Sequence, residues 1–193
     1  MRRAALATAL LALLLAPHAR GVEPLPARQR ALLLLRVLVY DRNLAGRVPG
    51  DMVVAVVFRP GDAGSEAERD AMLAAFEAVA GDVVAAGRPV RAVAVPGRGA
   101  ADLEARLARI RPAAAYVGAS LAREAPDVAA ATRRRDVLSV TGSREAVEGG
   151  VAVGLVNLGT RAGLVVNPEA ARAEGADLDA ALLALAEVVP GRR

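Results

Sequence analysis

Short apolar runs alternate with amphipathic segments along the chain from residue 29 onward. The short runs are rich in Val and Ala and are bounded by Gly, Pro or polar residues, which is typical of strands buried on both faces of a sheet. The segments between them are long enough to form helices. The predicted strands are residues 52–58, 90–95, 113–117 and 137–141. The predicted helices are residues 29–43, 65–80, 100–110, 120–134, 143–148 and 177–189.

Strands and helices that alternate in this way predict an α/β fold, in which a mostly parallel sheet carries helices on both faces. The pattern changes near the C-terminus. Residues 151–158 and 164–167 are two apolar runs separated by a short segment that contains two glycines, and this arrangement predicts a β-hairpin. The hairpin would give the sheet an antiparallel C-terminal edge.

Polar residues at the predicted helix starts are explained best by capping. Ser65 and Glu68 have the spacing of a capping box, in which each side chain accepts a hydrogen bond from the other residue's backbone N–H group. Ser120 takes the N-cap position of the helix that follows the third strand, and Asn167, which precedes Pro168, is expected to cap a short helix. The helix dipole stabilises acids in first turns, so we interpret these carboxylates as solvated helix starts rather than glycosidase or metal pairs. The set is Glu66, Glu68, Asp70, Asp177 and Asp179.

Glycines follow three predicted strands at Gly97, Gly118 and Gly142, where an open α/β sheet has the carboxyl ends of its strands. The turn at Gly97 begins like a dinucleotide-binding turn, but Asp102 stands at the third glycine position and its charge opposes a pyrophosphate. The turn at Gly118 is one residue short of a serine nucleophile elbow. These three glycines mark the place where a small molecule would bind, if the protein has such a ligand.

The N-terminal residues have the features of a secretory signal peptide. Two arginines are followed by an apolar run at residues 4–16, and the small residues at 19 and 21 suit signal peptidase. The apolar run is shorter than the roughly 20 residues that a membrane-spanning helix needs. We therefore expect residues 1–21 to be removed by cleavage after Gly21. Residues 22–193 would then form a single domain in the periplasm.

The charge balance gives no support for nucleic-acid binding. The sequence has 25 basic and 21 acidic residues, and every basic residue is arginine. The predicted cleavage removes three arginines and no acid, so the mature chain would carry a net charge of about +1. The arginine run at residues 133–135 lies at a predicted helix end, where cations interact favourably with the helix dipole. A solvated helix end explains this run better than a patch for an anionic partner.

Most residue types used in catalysis are missing from the chain. There is no Lys, Cys or Trp, and the one histidine, His18, lies in the predicted signal peptide. The mature chain would therefore lack an imidazole and a thiol for acid–base catalysis, nucleophilic attack or zinc binding. We expect no catalytic site, no metal site and no cofactor.

Six segments occur in a characteristic order: ALLLLRVLVYDRN, MVVAVVF, AAAYVGAS, VLSVTG, VAVGLVNL and LVVNPEAA. Together they resemble the YfiR-like family of small periplasmic regulatory proteins, over residues 29–189. The resemblance implies a three-layer α/β domain that restrains the exported sensor region of an inner-membrane signalling enzyme, such as a diguanylate cyclase. The chain departs from better-studied members, which carry structural or redox cysteines and a first helix richer in aromatic residues. Redox regulation is therefore not carried over.

The predicted hairpin is the segment best suited to contact a protein partner. Its strands carry Val153, Leu155, Leu164 and Val166, and an edge hairpin offers unpaired backbone groups. The same side chains suit packing in the protein's own core, so both interpretations stay open. Partner contact predicts that Leu164→Arg weakens partner binding and leaves the fold intact.

Two other functions compete with regulation through a protein partner. A single-lobe periplasmic protein would bind a small molecule at the strand ends, although transport receptors usually close two lobes on their ligand. An exported hydrolase would have to work with carboxylates alone. A homodimer is compatible with the sequence, and nucleic acid is not an expected partner.

Overall fold

The computed structural model describes residues 24–48, 50–80, 88–159 and 161–190. The expected signal peptide, residues 1–21, lies outside the described residues, so its cleavage stays a prediction. Within the described ranges, no helix is both long enough and apolar enough to cross a membrane.

Strands and helices alternate through most of the described chain. The strands are β1 (Met52–Phe58), β2 (Val90–Pro96), β3 (Ala114–Val117), β4 (Leu138–Thr141), β5 (Val153–Asn157), β6 (Ala162–Val166) and β7 (Glu187–Val188). The α-helices are α1 (Ala27–Val39), α2 (Leu44–Arg47), α3 (Ala63–Ala80), α4 (Ala100–Ile110), α5 (Ala125–Arg133), α6 (Arg144–Glu148), α7 (Pro168–Ala173) and α8 (Ala180–Leu185). A 3-10 helix, Ala119–Glu124, connects β3 to α5.

The described strands form one sheet in the order β2-β1-β3-β4-β5-β6-β7. β1 pairs in parallel with β2 on one side and with β3 on the other, and β3, β4 and β5 continue the parallel pairing. β5 and β6 pair antiparallel, with Leu155 opposite Leu164. The predicted α/β class, mostly parallel sheet and C-terminal hairpin are therefore confirmed. The short β7 adds one parallel pairing on the outer side of β6.

The helices bury the sheet on both faces. All residues of β1 are buried, because side chains alternate between the two faces of a strand and both faces are covered. Met52, Val54 and Val56 belong to the core that contains α1 and α3, whereas Ala55 and Val57 belong to the core that contains α4 and α5. An uninterrupted run of Val, Ala and Met thus fills two cores at once.

The start of α3 differs from the capping prediction. The helix begins at Ala63, and Asp62 Oδ1 accepts a hydrogen bond from the Ser65 N–H group at 2.8 Å. Ser65 Oγ instead accepts a hydrogen bond from the Arg59 N–H group at 2.8 Å. The predicted capping box of Ser65 and Glu68 is wrong, because Asp62 satisfies the free N–H groups at an earlier position.

Two further helix predictions are also wrong in detail. Ser120 lies inside the 3-10 helix, which follows Gly118, and its hydroxyl has no hydrogen-bond partner within the described residues. The predicted helix at residues 177–189 is shorter in the structure, because α8 ends at Leu185 and the following residues pair with β6. Asn167 does cap α7 as predicted, since its side chain accepts a hydrogen bond from the Ala170 N–H group.

Candidate functional site

The strand order creates a topological switch point between β1 and β3. The chain passes from β1 through α3 to β2 on one side, and from β2 through α4 to β3 on the other side. The two helices contribute to cores on opposite faces of the sheet. Open α/β sheets bind ligands in the crevice outside the carboxyl ends of the strands at such a point. The residues after β1 and β3 are therefore the first place to look for a site.

A buried polar cluster lies beside this crevice. Tyr116 of β3 donates a hydrogen bond to Glu68 Oε1 of α3 at 2.7 Å. Arg30 of α1 donates to Glu68 Oε1 and to the Tyr116 hydroxyl, and its guanidinium stands 5.6 Å from the centroid of the Tyr116 ring. The Arg30 and Glu68 side chains are only 10% and 15% exposed. This cluster ties two helices of one face to the central strand.

The hydroxyl of Tyr116 acts as a donor in this cluster because it stays protonated. Burial, followed by the neighbouring Glu68 carboxylate, holds the pKa of Tyr116 well above its ordinary value. The carboxylate of Glu68 then accepts from both a guanidinium and a phenol. Hydrogen bonds to an ionised acceptor are stronger than those between neutral groups, so the cluster stabilises the packing of α1 on α3.

Glycines at the ends of β3 and β4 leave room for this cluster. A Cβ atom at Gly142 would lie 3.1 Å from Arg30 Nη1 and 3.1 Å from the Tyr116 hydroxyl. A Cβ atom at Gly118 would lie 3.2 Å from Glu68 Oε2. Two of the three glycines that mark a ligand position in the sequence therefore accommodate the protein's own side chains.

Hydrogen bonds cross the crevice between residues that follow β1 and residues that follow β3. Glu68 Oε2 accepts a hydrogen bond from the Ala119 N–H group at 2.8 Å, at the start of the 3-10 helix. Arg59, which follows β1, donates to the Ser120 carbonyl oxygen at 3.1 Å and also to the Glu124 carboxylate. The chain's own charged side chains thus satisfy backbone groups that a ligand at the switch point would contact.

Little space remains near Gly97, the third of the strand-end glycines. The cavity there has a volume of about 130 Å³, and Arg59, Arg98, Leu121 and Glu124 are among its lining residues. Pockets for drug-sized ligands have volumes of roughly 300–1,000 Å³. The cavity that the described residues form beside Gly97 is therefore smaller than such a pocket.

The four predicted partner-contact residues lie in the core. Val153, Leu155 and Val166 are fully buried, and Leu164 is 8% exposed. All four belong to the hydrophobic cluster that also contains residues of α1 and α3. The structure therefore shows the core packing that the sequence allowed, and partner contact through these side chains stays a prediction. An arginine at Leu164 would enter this core, so we no longer expect Leu164→Arg to leave the fold intact.

A second buried carboxyl group lies just after α7. Glu174 is fully buried and accepts hydrogen bonds from Thr132 Oγ1 at 2.6 Å, from Ser139 Oγ at 2.6 Å and from the Ser139 N–H group at 2.8 Å. Ser139 Oγ in turn accepts from the Ala152 N–H group at 2.9 Å. Burial raises the pKa of Glu174 to about 7, although these donors favour the ionised form. The carboxyl group connects α5, β4 and the residues before β5.

Sequence reasoning missed the cluster and the buried carboxyl group. The local pattern places Glu68 in a helix cap and gives no partner for Arg30 or Glu174. One signal was available, because Arg30 falls on the apolar face of its helix and a buried charge needs a partner. Within the described residues, no group of three or more His, Cys, Asp or Glu side chains is placed to hold a metal ion.

Solved structures share this fold at low sequence identity. A conserved domain protein from Vibrio cholerae matches with a TM-score of 0.59 and 17% identity, over 87% of this chain. An ABC domain from Streptococcus pneumoniae in complex with L-Trp matches with a TM-score of 0.57 and 16% identity, over 85% of this chain. A ligand-free, open substrate-binding protein with adhesive properties from Clostridium difficile matches with a TM-score of 0.60 and 13% identity, over 89% of this chain. The matches cover only 60–62% of those chains, and they show the fold alone.

Sequence comparison identifies the family. No curated protein matches the chain. A family model described as YfiR/HmsC-like matches residues 65–187, from the first turn of α3 into β7, which is more than half of the chain. The resemblance found in the sequence is therefore confirmed. The chain belongs to the YfiR/HmsC-like family, a family of regulatory proteins.

Proposed function

We propose that this protein is a periplasmic regulatory binding protein that restrains the exported sensor region of an inner-membrane signalling enzyme, such as a diguanylate cyclase. Membership of the YfiR/HmsC-like family is the observation that carries the proposal. The signal peptide predicted at residues 1–21 supports the location, because it directs export.

The geometry of the strand ends favours binding of a protein over turnover of a substrate. Catalysis needs a reachable cleft with a free nucleophile or base. Glu68 is instead held by Arg30, Tyr116 and the Ala119 N–H group, and Glu124 is held by Arg59. These carboxylates at the switch point have structural partners, which supports a non-catalytic role.

A single-lobe small-molecule-binding protein is the second candidate. Two observations favour it: one protein of similar fold is in complex with L-Trp, and another is a substrate-binding protein. In this chain, a ligand at the switch point would have to break the hydrogen bond between Glu68 and Ala119 and the one between Arg59 and Ser120. This requirement is why we place protein binding first.

The test is cross-linking in the source cell combined with a signalling measurement. The full-length chain would carry a photo-activated amino acid at Gln29, Arg123 or Arg172, which are exposed on different elements. We expect one inner-membrane protein with an exported sensor region to be cross-linked, and its signalling product to rise when the chain is deleted. If deletion changes no signalling product, and small metabolites raise the melting temperature of the purified chain, the second candidate replaces the first.

A further inference from the structure

The outer face of α1 exposes large apolar side chains. Leu32 is 38% exposed and Val39 is 57% exposed, and Leu33 and Tyr40 beside them are partly buried. The pairs 32/33 and 39/40 are separated by two helical turns, or about 10 Å along the axis. A contiguous apolar surface on a folded protein marks a binding surface more often than a scattered one does.

This face of α1 lines a shallow groove that is open to solvent. The groove has a volume of about 550 Å³, and Ala162 at the start of β6 lines it together with residues of α1. We call it the α1 groove, defined by Leu32, Leu33, Val39, Tyr40 and Ala162. An apolar groove along a helix is the geometry that binds an amphipathic helix of a partner, through apolar residues repeated every one or two turns.

The charged residues of α1 are all arginine, and Asp41 and Asp179 lie beside its C-terminal end. Residues 24–40 contain no acidic residue. Arg36 lies between the two apolar pairs, Arg28 lies near the N-terminal end of α1, and Arg161 precedes Ala162, all three exposed. None of the ion pairs formed within the described part of the chain involves these three arginines. A partner with carboxylates at matching positions would pair with them and be attracted at long range.

We propose that the α1 groove binds an acidic amphipathic helix of the partner's exported sensor region. Apolar residues of that helix would lie on the pairs 32/33 and 39/40, and its carboxylates would face Arg36, Arg28 and Arg161. The inference rests on the proposed function for the identity of the partner. The chemistry of the partner rests on the shape and charge of the groove.

Charge and shape disfavour two other occupants. In a dimer related by two-fold symmetry both copies would contribute the same surface, so the arginines of one α1 would face a helix that carries arginines and no acid. An anionic membrane binds an outward-facing amphipathic surface that enters the lipid boundary. The α1 groove is an open depression bordered by Ala162 of β6 as well as by α1, so a helix can contact both elements and suits it better than a lipid surface.

A peptide-binding experiment tests the chemistry of the groove. The probe is a labelled peptide of about four helical turns, with Leu on one face and Glu beside it, and the matched probe has Lys in place of Glu. Fluorescence anisotropy would measure both with the purified full-length chain. We expect the acidic peptide to bind, the Lys peptide to bind at least about tenfold more weakly, and Arg36→Glu to weaken the acidic peptide about tenfold or more. Arg123→Glu, an exposed charge reversal on the 3-10 helix, should leave binding unchanged.

Several results would overturn the inference. Equal binding of the two peptides, or binding that Arg36→Glu does not change, would show that the arginines do not select an acidic partner. Binding to phosphatidylglycerol vesicles without binding of the acidic peptide assigns the face to a membrane. Dimerisation that Arg36→Glu abolishes assigns it to a second copy. Each of these results excludes the acidic helix as the occupant.

A cellular measurement separates this inference from the proposed function. Cells that carry Arg36→Glu or Arg123→Glu would be compared with the wild type and with a deletion of the chain. We expect Arg36→Glu to raise the signalling product as deletion does, and Arg123→Glu to retain restraint. If the wild type and Arg36→Glu restrain signalling equally, the proposal that the α1 groove binds the partner is wrong, and the proposed function stands. If deletion has no effect but the acidic peptide binds as expected, the function is wrong and the groove stands.

Discussion

Glu174→Gln removes an ionisable group whose pKa burial raises to about 7. Glutamine has nearly the same shape as the protonated carboxyl group. Its amide oxygen can accept the hydrogen bond from the Ser139 N–H group, and its NH₂ group can donate to Thr132 Oγ1, which donates in turn to the Val128 carbonyl oxygen at 3.0 Å. The substitution therefore removes the titration and keeps most of the local hydrogen bonds.

The sign and size of the effect follow from the pKa difference. The carboxyl group has an ordinary pKa of 4.5 and a pKa of about 7 in the folded chain. Between these values the folded state holds a proton that the unfolded state has lost. This contribution to stability is therefore fully present below pH 4.5 and is lost as the pH rises to about 7. Above that pH the group no longer changes the stability. A difference of about 2.5 units corresponds to roughly 3 kcal/mol, at about 1.36 kcal/mol per unit.

Urea unfolding of the wild type and Glu174→Gln at about pH 5 and about pH 8 measures this contribution. We expect the wild type to lose about 2 to 3 kcal/mol of unfolding free energy relative to the variant over this range. Glu169→Gln is the matched control, because it removes an exposed carboxyl group from the first turn of α7 and should leave this difference unchanged. Parallel pH profiles for the wild type and Glu174→Gln would refute the argument that burial raises this pKa.

Three further substitutions test the packing at other positions. Gly142→Ala should lower the free energy of unfolding by about 1 kcal/mol or more, because its Cβ atom would crowd Arg30. Gly46→Ala is the control, because a Cβ atom there has open space, and equal unfolding free energies for the two variants would contradict the prediction. Ser120→Ala should change the free energy of unfolding by less than about 0.5 kcal/mol, since its hydroxyl has no partner within the described residues. A loss near 1 kcal/mol in thermal unfolding would indicate that Ser120 is an N-cap after all. Leu164→Arg should lower the free energy of unfolding by at least about 3 kcal/mol or prevent folding, because it puts an unpaired charge in the core. A circular dichroism spectrum and a melting temperature like those of the wild type would contradict this.

The sheet could be predicted from the sequence because its signals are local. The run Met52–Phe58 is short, rich in Val and without a polar residue, which is typical of a strand covered on both faces. The hairpin could be predicted because two apolar runs are separated by a glycine-containing turn. Asn167 before a proline is a local signal as well, and the structure confirms it as the cap of α7.

The polar cluster at the switch point could not be predicted in the same way. Arg30 and Glu68 are 38 positions apart, and Arg30 and Tyr116 are 86 positions apart, so no spacing rule connects them. Glu68 also matches a local rule, the capping box, which Asp62 displaces by satisfying the helix start earlier. The buried Glu174 has donors from α5 and β4, which only the tertiary structure brings together.

α1 connects the two surfaces on which the proposals depend. Its inner face carries Arg30, which holds Glu68 against β3, and Glu68 also bridges the crevice through the Ala119 N–H group. Its outer face carries Leu32, Arg36 and Val39 along the α1 groove. A partner helix in the groove would stabilise α1 in this position, and with it the closed crevice. If a small molecule entered the switch point by displacing the Glu68–Ala119 hydrogen bond, it and the partner helix would weaken each other's binding by the same factor.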